Sequence, residues 1–477
     1  MPGFFVENFG CRATQADGAA LERQFEERGL ARAATTTQAS LVVLNTCTVT
    51  NGADQDARAA IRRVRRQNPD ARIIVTGCYA QRAPQEIADL PGVDLVVGNS
   101  HKHQLAEIAL GNTWRSDQPV RDFIPLAGLI RNHDPQNNES VFVSDIFAHT
   151  ELLAAPVFDA ANERTRPNLK VQDGCDNRCS FCVIPFVRGQ SRSLEVERIV
   201  REVNVLVKAN YREVVISGIN LGRWGRDLAQ ASTNVGTTAP GCTGGQSSPA
   251  SLTHLIHTIL SETDLEKLRI SSVEPMDWSD ELISLVASSP RIAKHAHVPM
   301  QSGSDGVLRR MHRKYRPWHY REKIEKIRAA MPDAAIGADV MVGFPGETDA
   351  EFEATRQMIE GLPFTYLHVF TYSPRPGTPA AGMPNQVPVQ VARERNRILR
   401  ELAAGKKMAF MQGFIGKTVE AIKLDVIGRD EAGEFTEALT DNYLKLRLRG
   451  RHEANRWTRA SVTRVTSGAL VGELVTA

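Results

Sequence analysis

Net charge is nearly missing from this 477-residue chain: 58 basic residues face 55 acidic ones, leaving +3. A surface-wide nucleic-acid footprint is therefore not expected, and any basic site must be local. No apolar run approaches the roughly 20 residues that span a bilayer, so no membrane segment is expected. The opening Met1-Pro2-Gly3-Phe4-Phe5-Val6-Glu7 has no basic flank and no sustained apolar stretch, so a secretory signal is not expected either. Cysteine is sparse. Seven thiols, an odd number spread over a long chain, exclude the disulfide framework of a small secreted domain and point to a reducing cytoplasm. What is there is ordinary globular composition, 42% hydrophobic and 24% charged, in a length that implies two or three domains.

Three of the seven cysteines stand in one stretch, Gly174-Cys175-Asp176-Asn177-Arg178-Cys179-Ser180-Phe181-Cys182, as C-x3-C-x2-C. Three thiolates this close can hold three irons of a cubane cluster that ordinarily takes four cysteines, leaving one iron open to a substrate. A zinc site would want four ligands in two pairs, and no fourth partner stands nearby; three unrelated thiols are the other alternative. The spacing, with aromatic Phe181 before the last cysteine, resembles the signature of the radical S-adenosylmethionine (SAM) enzymes. That resemblance implies an open iron that chelates the amino and carboxylate groups of SAM and cleaves it to a 5′-deoxyadenosyl radical.

The first third alternates strand and helix. Strands are expected at Phe4–Val6, Leu41–Leu44, Ile73–Val75 and Val93–Val97, with helices at Gln15–Glu27, Ala53–Gln67, Pro84–Leu90 and His101–Leu110. This pattern predicts a parallel sheet covered on both faces. Cys11, Cys47 and Cys78 each follow one of the first three strands. The C-terminal edge of a parallel sheet is where open α/β folds bind ligands, so these distant thiols should converge. Each alone could be a small buried hydrophobe; three of three suggest a second tri-cysteine cluster. Asn45-Thr46-Cys47-Thr48-Val49-Thr50-Asn51, Gln67-Asn68-Pro69 and Val75-Thr76-Gly77-Cys78-Tyr79-Ala80-Gln81 resemble the N-terminal domain of the methylthiotransferases, two-cluster radical SAM enzymes. The wording is most like the branch acting on N6-threonylcarbamoyladenosine in tRNA. The helix after Cys47 carries Arg58, Arg62, Arg63, Arg65 and Arg66, either a solvated face or an RNA-phosphate contact.

From Arg131 to Arg166 periodicity is poor, and the stretch reads as a connection with a short strand possible at Val141–Val143. Six strands follow, at Leu169–Val171, Val214–Ile216, Leu268–Ile270, His297–Pro299, Ala338–Val342 and Leu367–Phe370, mostly separated by helices. Six βα units fit the partial (β/α)6 barrel of the radical SAM family, with the cysteine loop at its C-terminal mouth. By the same resemblance Ser217 and Gly218 approach the SAM amino group, Glu274 and Gln301 contact its ribose or methionine end, and Arg188 or Arg192 pairs with its carboxylate. Each could equally be an ordinary turn residue or surface charge. A loop rich in Gly, Ser and Thr, Ala229–Ser251, holds Cys242, which three plus three ligands leave over. Past a helix at Pro388–Phe410, alternation in Tyr443–Arg449 puts Leu444, Leu446 and Leu448 on a core and Tyr443, Lys445, Arg447 and Arg449 outward. A cation row ending in an aromatic suits RNA, and also any solvated strand. This module resembles the RNA-binding TRAM β-barrel.

The expected division is therefore an α/β chain with a methylthiotransferase N-terminal domain at 1–120, a linker at 121–160, a radical SAM core at 161–405 and a TRAM-like domain at 408–477. The resemblance implies two 4Fe-4S clusters, on Cys11, Cys47 and Cys78 and on Cys175, Cys179 and Cys182, with SAM as co-substrate. It implies methylthiolation of C2 of N6-threonylcarbamoyladenosine beside the anticodon. Expected partners are tRNA and a reductant protein, for a cytoplasmic monomer. The rival readings are methylthiolation of isopentenyladenosine or of a ribosomal-protein aspartate, a non-catalytic RNA-binding iron–sulfur sensor, and a radical SAM enzyme acting on a small molecule.

Overall fold

The computed structural model describes residues 3–111, 140–149, 152, 165–228, 250–431 and 433–475. Cys242 and most of the expected linker lie outside them. The described residues divide into two units.

In the first unit, six strands pair in parallel in the order β2-β1-β3-β4-β5-β6: β1 (Gly3–Asn8), β2 (Ala31–Arg32), β3 (Leu41–Thr46), β4 (Arg72–Gly77), β5 (Leu95–Gly98) and β6 (Val141–Phe142). The central strand is buried at every position. Its side chains alternate between two cores, as the pleat requires. Val42 and Leu44 meet Ile61 and Val64 of the helix Asn51–Gln67, while Val43 joins Leu21 and Phe25 of the helix Arg12–Glu26. The four anticipated strands are present. Two edge strands extend them, and β6 lies inside the stretch expected to be a linker, so the first unit continues past position 120. Two hydrogen bonds hold that return segment: Gln81 Nε2 donates to the Ser144 carbonyl at 3.0 Å and the Ser144 N–H to Ser100 Oγ at 3.0 Å.

The second unit begins with β7 (Asn168–Asp173), β8 (Arg192–Ser193), β9 (Glu213–Gly218) and β10 (Lys267–Ile270), ordered β10-β9-β7-β8. A further sheet holds β11 (His295–His297), β12 (Ala335–Val342) and β13 (Tyr366–Thr371). Parallel bridges Leu268↔Ile292 and Ser272↔His297 join the two sheets. The parallel strands therefore run β7-β9-β10-β11-β12-β13, an open partial barrel of the six expected strands, with β8 antiparallel on its edge.

After the helix Val389–Gln412 the chain forms β14 (Thr418–Asp430), β15 (Gly433–Thr440), β16 (Lys445–Arg449), β17 (Trp457–Val465) and β18 (Leu470–Leu474), a closed barrel in the order β14-β15-β16-β18-β17. Leu444, Leu446 and Leu448 fill its core as the alternation required. Tyr443 is a correction. Its φ of 67° turns it out of the strand face, and its ring packs 4.7 Å from His295 and 5.4 Å from the Arg269 guanidinium. The cation row is also interleaved with acid: Lys445 pairs with Glu437 at 3.3 Å, Arg449 with Asp430 at 2.8 Å and Arg451 with Glu434 at 3.3 Å. This module docks on Asn210 and Asp333, which precede β9 and β12, and on Arg269 within the four-residue β10. The cysteine loop follows the C-terminal end of β7, so it lies at the opposite edge of the sheet.

Candidate active site

The cysteine loop is clamped by contacts of the protein itself. Gly174 ends β7 with φ at +73°, and a Cβ there would lie 1.8 Å from the Gln190 carbonyl oxygen, so no side chain fits. The amide of Gln172 holds the loop from beneath. Its Nε2 donates to the Asp173 and Gly174 carbonyls at 3.0 and 2.9 Å, and its Oε1 accepts the Asn220 N–H at 2.7 Å. The far end is anchored by Ser180, whose Oγ donates to the Arg310 carbonyl at 2.7 Å and whose own carbonyl accepts the Ala380 N–H at 2.9 Å. Phe181 packs against Phe344 with ring centroids 6.4 Å apart, which covers one side of the loop.

The three thiols interact electrostatically. Burial pushes the Cys182 thiol up to about 12, and the neighbouring Cys179 pushes in the same direction. Burial also raises Cys175, against a hydrogen bond from the Asn177 N–H. Three adjacent thiolates are thus disfavoured until a cation joins them, which is the signature of a metal-ligand set. Donors already point at the sulfurs: Asn220 Nδ2 lies 3.6 Å from Cys175 Sγ and Arg313 Nη1 3.2 Å from Cys179 Sγ.

The other expected contacts divide. Ser217 and Gly218 close β9 at the mouth. The Ser217 hydroxyl is 3% exposed and has no partner among the described residues, an orphan donor of the kind a ligand satisfies. Gln301 sits at the same edge in the left-handed region, φ 60°, bridged to Val340. Glu274 is bound to Arg313. Burial raises its carboxyl, and Arg313 opposes that shift. Arg188 is taken elsewhere: it groups with the first unit and pairs with buried Asp17 at 3.0 Å, so its charge is neutralised there. The sequence reading missed Gln172, Asn220 and Arg313. None belongs to a motif that the sequence announces, and only the fold shows that it faces the loop.

In the first unit, β1, β3 and β4 are neighbours, and each cysteine follows one of them. Cys11 caps the helix Arg12–Glu26, Cys47 directly follows β3, and Cys78 opens the helix Cys78–Arg82. Gly10, with φ at +106°, lies against Cys47; a Cβ there would come within 2.6 Å of the Cys47 Cβ. Gly77 is paired in register with Thr46, which sets Cys78 beside Cys47. Asn99 Nδ2 lies 3.6 Å from Cys78 Sγ. The arginine run after Cys47 is largely committed to the fold: Arg58 pairs with Glu86, Arg63 with Glu7, and Arg65 with Asp94 at 2.6 Å. Arg62, Arg63 and Arg66 stay exposed.

Residues 169–359 match the model of the Radical SAM superfamily, and residues 3–98 match that of an uncharacterized protein family, UPF0004. A fold likeness agrees: the chain superposes on TsrM, a radical S-adenosylmethionine methyltransferase from Kitasatospora setae, with a TM-score of 0.53 at 17% identity over 79% of this chain and 74% of that one. The class is thus a radical SAM enzyme. More particularly, the chain is 36% identical to the threonylcarbamoyladenosine tRNA methylthiotransferase MtaB of Bacillus subtilis over 92% of this chain and 89% of the relative. It is 34% identical to the Aquifex aeolicus protein of that name over 96% and 99% of the two chains, and 35% identical to the Rickettsia prowazekii one over 92% of each. The chain belongs to the MtaB family of methylthiotransferases.

Proposed function

We propose that this chain installs a methylthio group at C2 of N6-threonylcarbamoyladenosine beside the tRNA anticodon. The observation that carries this reading is the pairing of a clamped C-x3-C-x2-C loop at a barrel mouth with a second triad at three adjacent strand ends. Cys175, Cys179 and Cys182 would hold one 4Fe-4S cluster and Cys11, Cys47 and Cys78 the other. Together with SAM these groups supply the homolytic chemistry that an inert aromatic carbon requires and the sulfur that replaces its hydrogen.

The protein's own residues prepare the site. Gln172 and Gly174 fix the loop, and Asn220 and Arg313 donate toward the thiolates. Ser217, Gly218 and Gln301 line the edge where SAM would lie. Glu274 holds the Arg313 guanidinium, which orients its donor toward Cys179 Sγ. Phe181 and Phe344 keep water from one side of the loop, which strengthens the polar contacts around it. A reductant protein completes the partner set, and the reading is of a cytoplasmic monomer. Among the described residues no helix is long and apolar enough to cross a membrane.

The test is tRNA from cells that lack their own enzyme of this type and express this chain. Mass spectrometry of its nucleosides should show threonylcarbamoyladenosine converted to the methylthio form. Conversion of isopentenyladenosine instead would replace the proposed substrate.

A further inference from the structure

The inner wall of the last three strands carries a polar layer that neither cluster uses. Along β12, Ala338, Val340 and Val342 are fully buried, while Asp339 and Met341 are only partly covered and so share the inner face. Asp339 is paired in register with His368 of β13, and Met341 with Phe370. Asp339 Oδ1 lies 3.4 Å from His368 Nδ1 and 3.2 Å from His297 Nε2, on β11. Burial would raise the Asp339 carboxyl, but the two imidazoles outweigh it and hold the group well below the usual carboxylate range.

This layer is oriented from below. The Tyr366 hydroxyl lies 2.9 Å from His297 Nδ1 and 2.7 Å from His295 Nε2. It reaches them across Gly337, where a Cβ would stand 2.0 Å from the tyrosine ring, so the glycine makes room for the network. Above the layer, two residues or about 7 Å up the strand, Phe370 is 48% exposed. Met341, opposite it, packs on the same small core around Phe344 as Phe181 of the cysteine loop. The wall therefore descends from the cysteine loop to an exposed aromatic face and then to a fixed polar floor. The side chain of His368 is itself 56% exposed, so the ring edge away from Asp339 remains accessible.

We propose that this floor is the subsite for the N6 substituent of the target adenosine. Phe370 stacks on the base, and His368, held by Asp339, hydrogen-bonds the hydroxyl or carboxylate of an amino-acid group attached at N6. The inference rests on the proposed function and adds the residues that select a polar N6 group over an apolar one. An exposed aromatic face suits a base of any identity. A fixed polar floor discriminates, because an apolar substituent would cover the accessible His368 edge without giving it a hydrogen-bond partner.

The test measures binding of the holoenzyme, both clusters loaded and SAM present, to two anticodon stem-loop RNAs. One carries threonylcarbamoyladenosine and the other isopentenyladenosine, an apolar N6 substituent, at the same position. The wild type should prefer the first by about tenfold, the worth of one good hydrogen-bonding contact. His368→Ala and Asp339→Asn should bring that ratio close to one. A merely structural defect weakens both RNAs together and leaves the ratio at the wild-type value, which would overturn the proposal. So would a stoichiometric zinc or manganese ion in the holoenzyme that Asp339→Asn removes, since the three residues would then be metal ligands. If the wild type prefers neither RNA yet methylthiolates the threonylcarbamoyl one, N6 recognition lies elsewhere and this inference fails alone. If it methylthiolates neither, the proposed function fails with it.

Discussion

Cys179→Ala abolishes SAM cleavage, whereas Cys47→Ala keeps abortive cleavage to 5′-deoxyadenosine and loses methylthio transfer. The two triads sit on different units and are held by different contacts. The Cys179 loop depends on Gln172, Gly174 and Ser180, and the Cys47 edge on Gly10 and the register of β3 with β4. Removing one thiolate from the central triad leaves two ligands where three are needed, and Arg313 loses the sulfur it faces at 3.2 Å. Radical formation should therefore fall by several orders of magnitude while the first unit stays intact. Removing Cys47 leaves the central loop untouched. The checks are chromatographic assay of 5′-deoxyadenosine and iron content, which should fall to about half of the wild-type value in either variant because each cubane carries the same number of irons. Equal loss of cleavage in both, with the remaining cluster still loaded, would refute the division of labour.

Arg269→Met destabilises the second unit by about 3–5 kcal/mol, the usual cost of stranding a buried charge. Glu213 is 0% exposed and Arg269 1% exposed, and Arg269 Nε meets Glu213 Oε1 at 2.6 Å. The same guanidinium donates to the carbonyls of Asp441 and Thr440 at 3.1 and 3.4 Å, tying β10 to the C-terminal barrel. Burial would raise the Glu213 carboxyl, yet Arg269, with help from Arg166, holds it below its ordinary value. In the wild type this carboxylate stabilises the fold above its unfolded pKa, and that contribution is lost as pH falls through the lower folded value. In the variant the sign reverses. Burial then dominates, the carboxyl rises, and protonation relieves the stranded charge. The deficit in denaturation midpoint should be largest near neutral pH and shrink in acid, and Glu213→Gln added to Arg269→Met should recover part of it. A deficit independent of pH would place the effect in lost packing against Tyr443 instead.

The parts of this account that were legible in the sequence are those carried by fixed local spacing. The C-x3-C-x2-C stretch, the cysteine after each of three apolar strands and the alternation of Leu444, Leu446 and Leu448 all announce their positions within a few residues. What was not legible depends on partners far along the chain. β2 and β8 are two-residue edges with no periodicity of their own. β15 and β18 carry their pattern in short segments broken by glycine and acid. Tyr443 looked outward because strict alternation was extended two residues ahead of the strand, where a left-handed backbone breaks that pattern. Arg188 followed the cysteine loop closely enough to suggest a SAM contact, but it is paired with Asp17, 171 residues earlier. The polar floor of His297, Asp339 and His368 was invisible for the same reason: each residue merely interrupts an apolar strand until β11, β12 and β13 lie side by side.

The most direct test of the central claim is one anaerobic turnover. The reconstituted enzyme, SAM and a reductant are given a stem-loop RNA whose threonylcarbamoyladenosine carries deuterium at C2, and both 5′-deoxyadenosine and nucleosides are read by mass spectrometry. The account predicts deuterium in 5′-deoxyadenosine together with a methylthio group at C2 of the same nucleoside. Unlabelled 5′-deoxyadenosine beside unchanged RNA, with both clusters loaded, would contradict it.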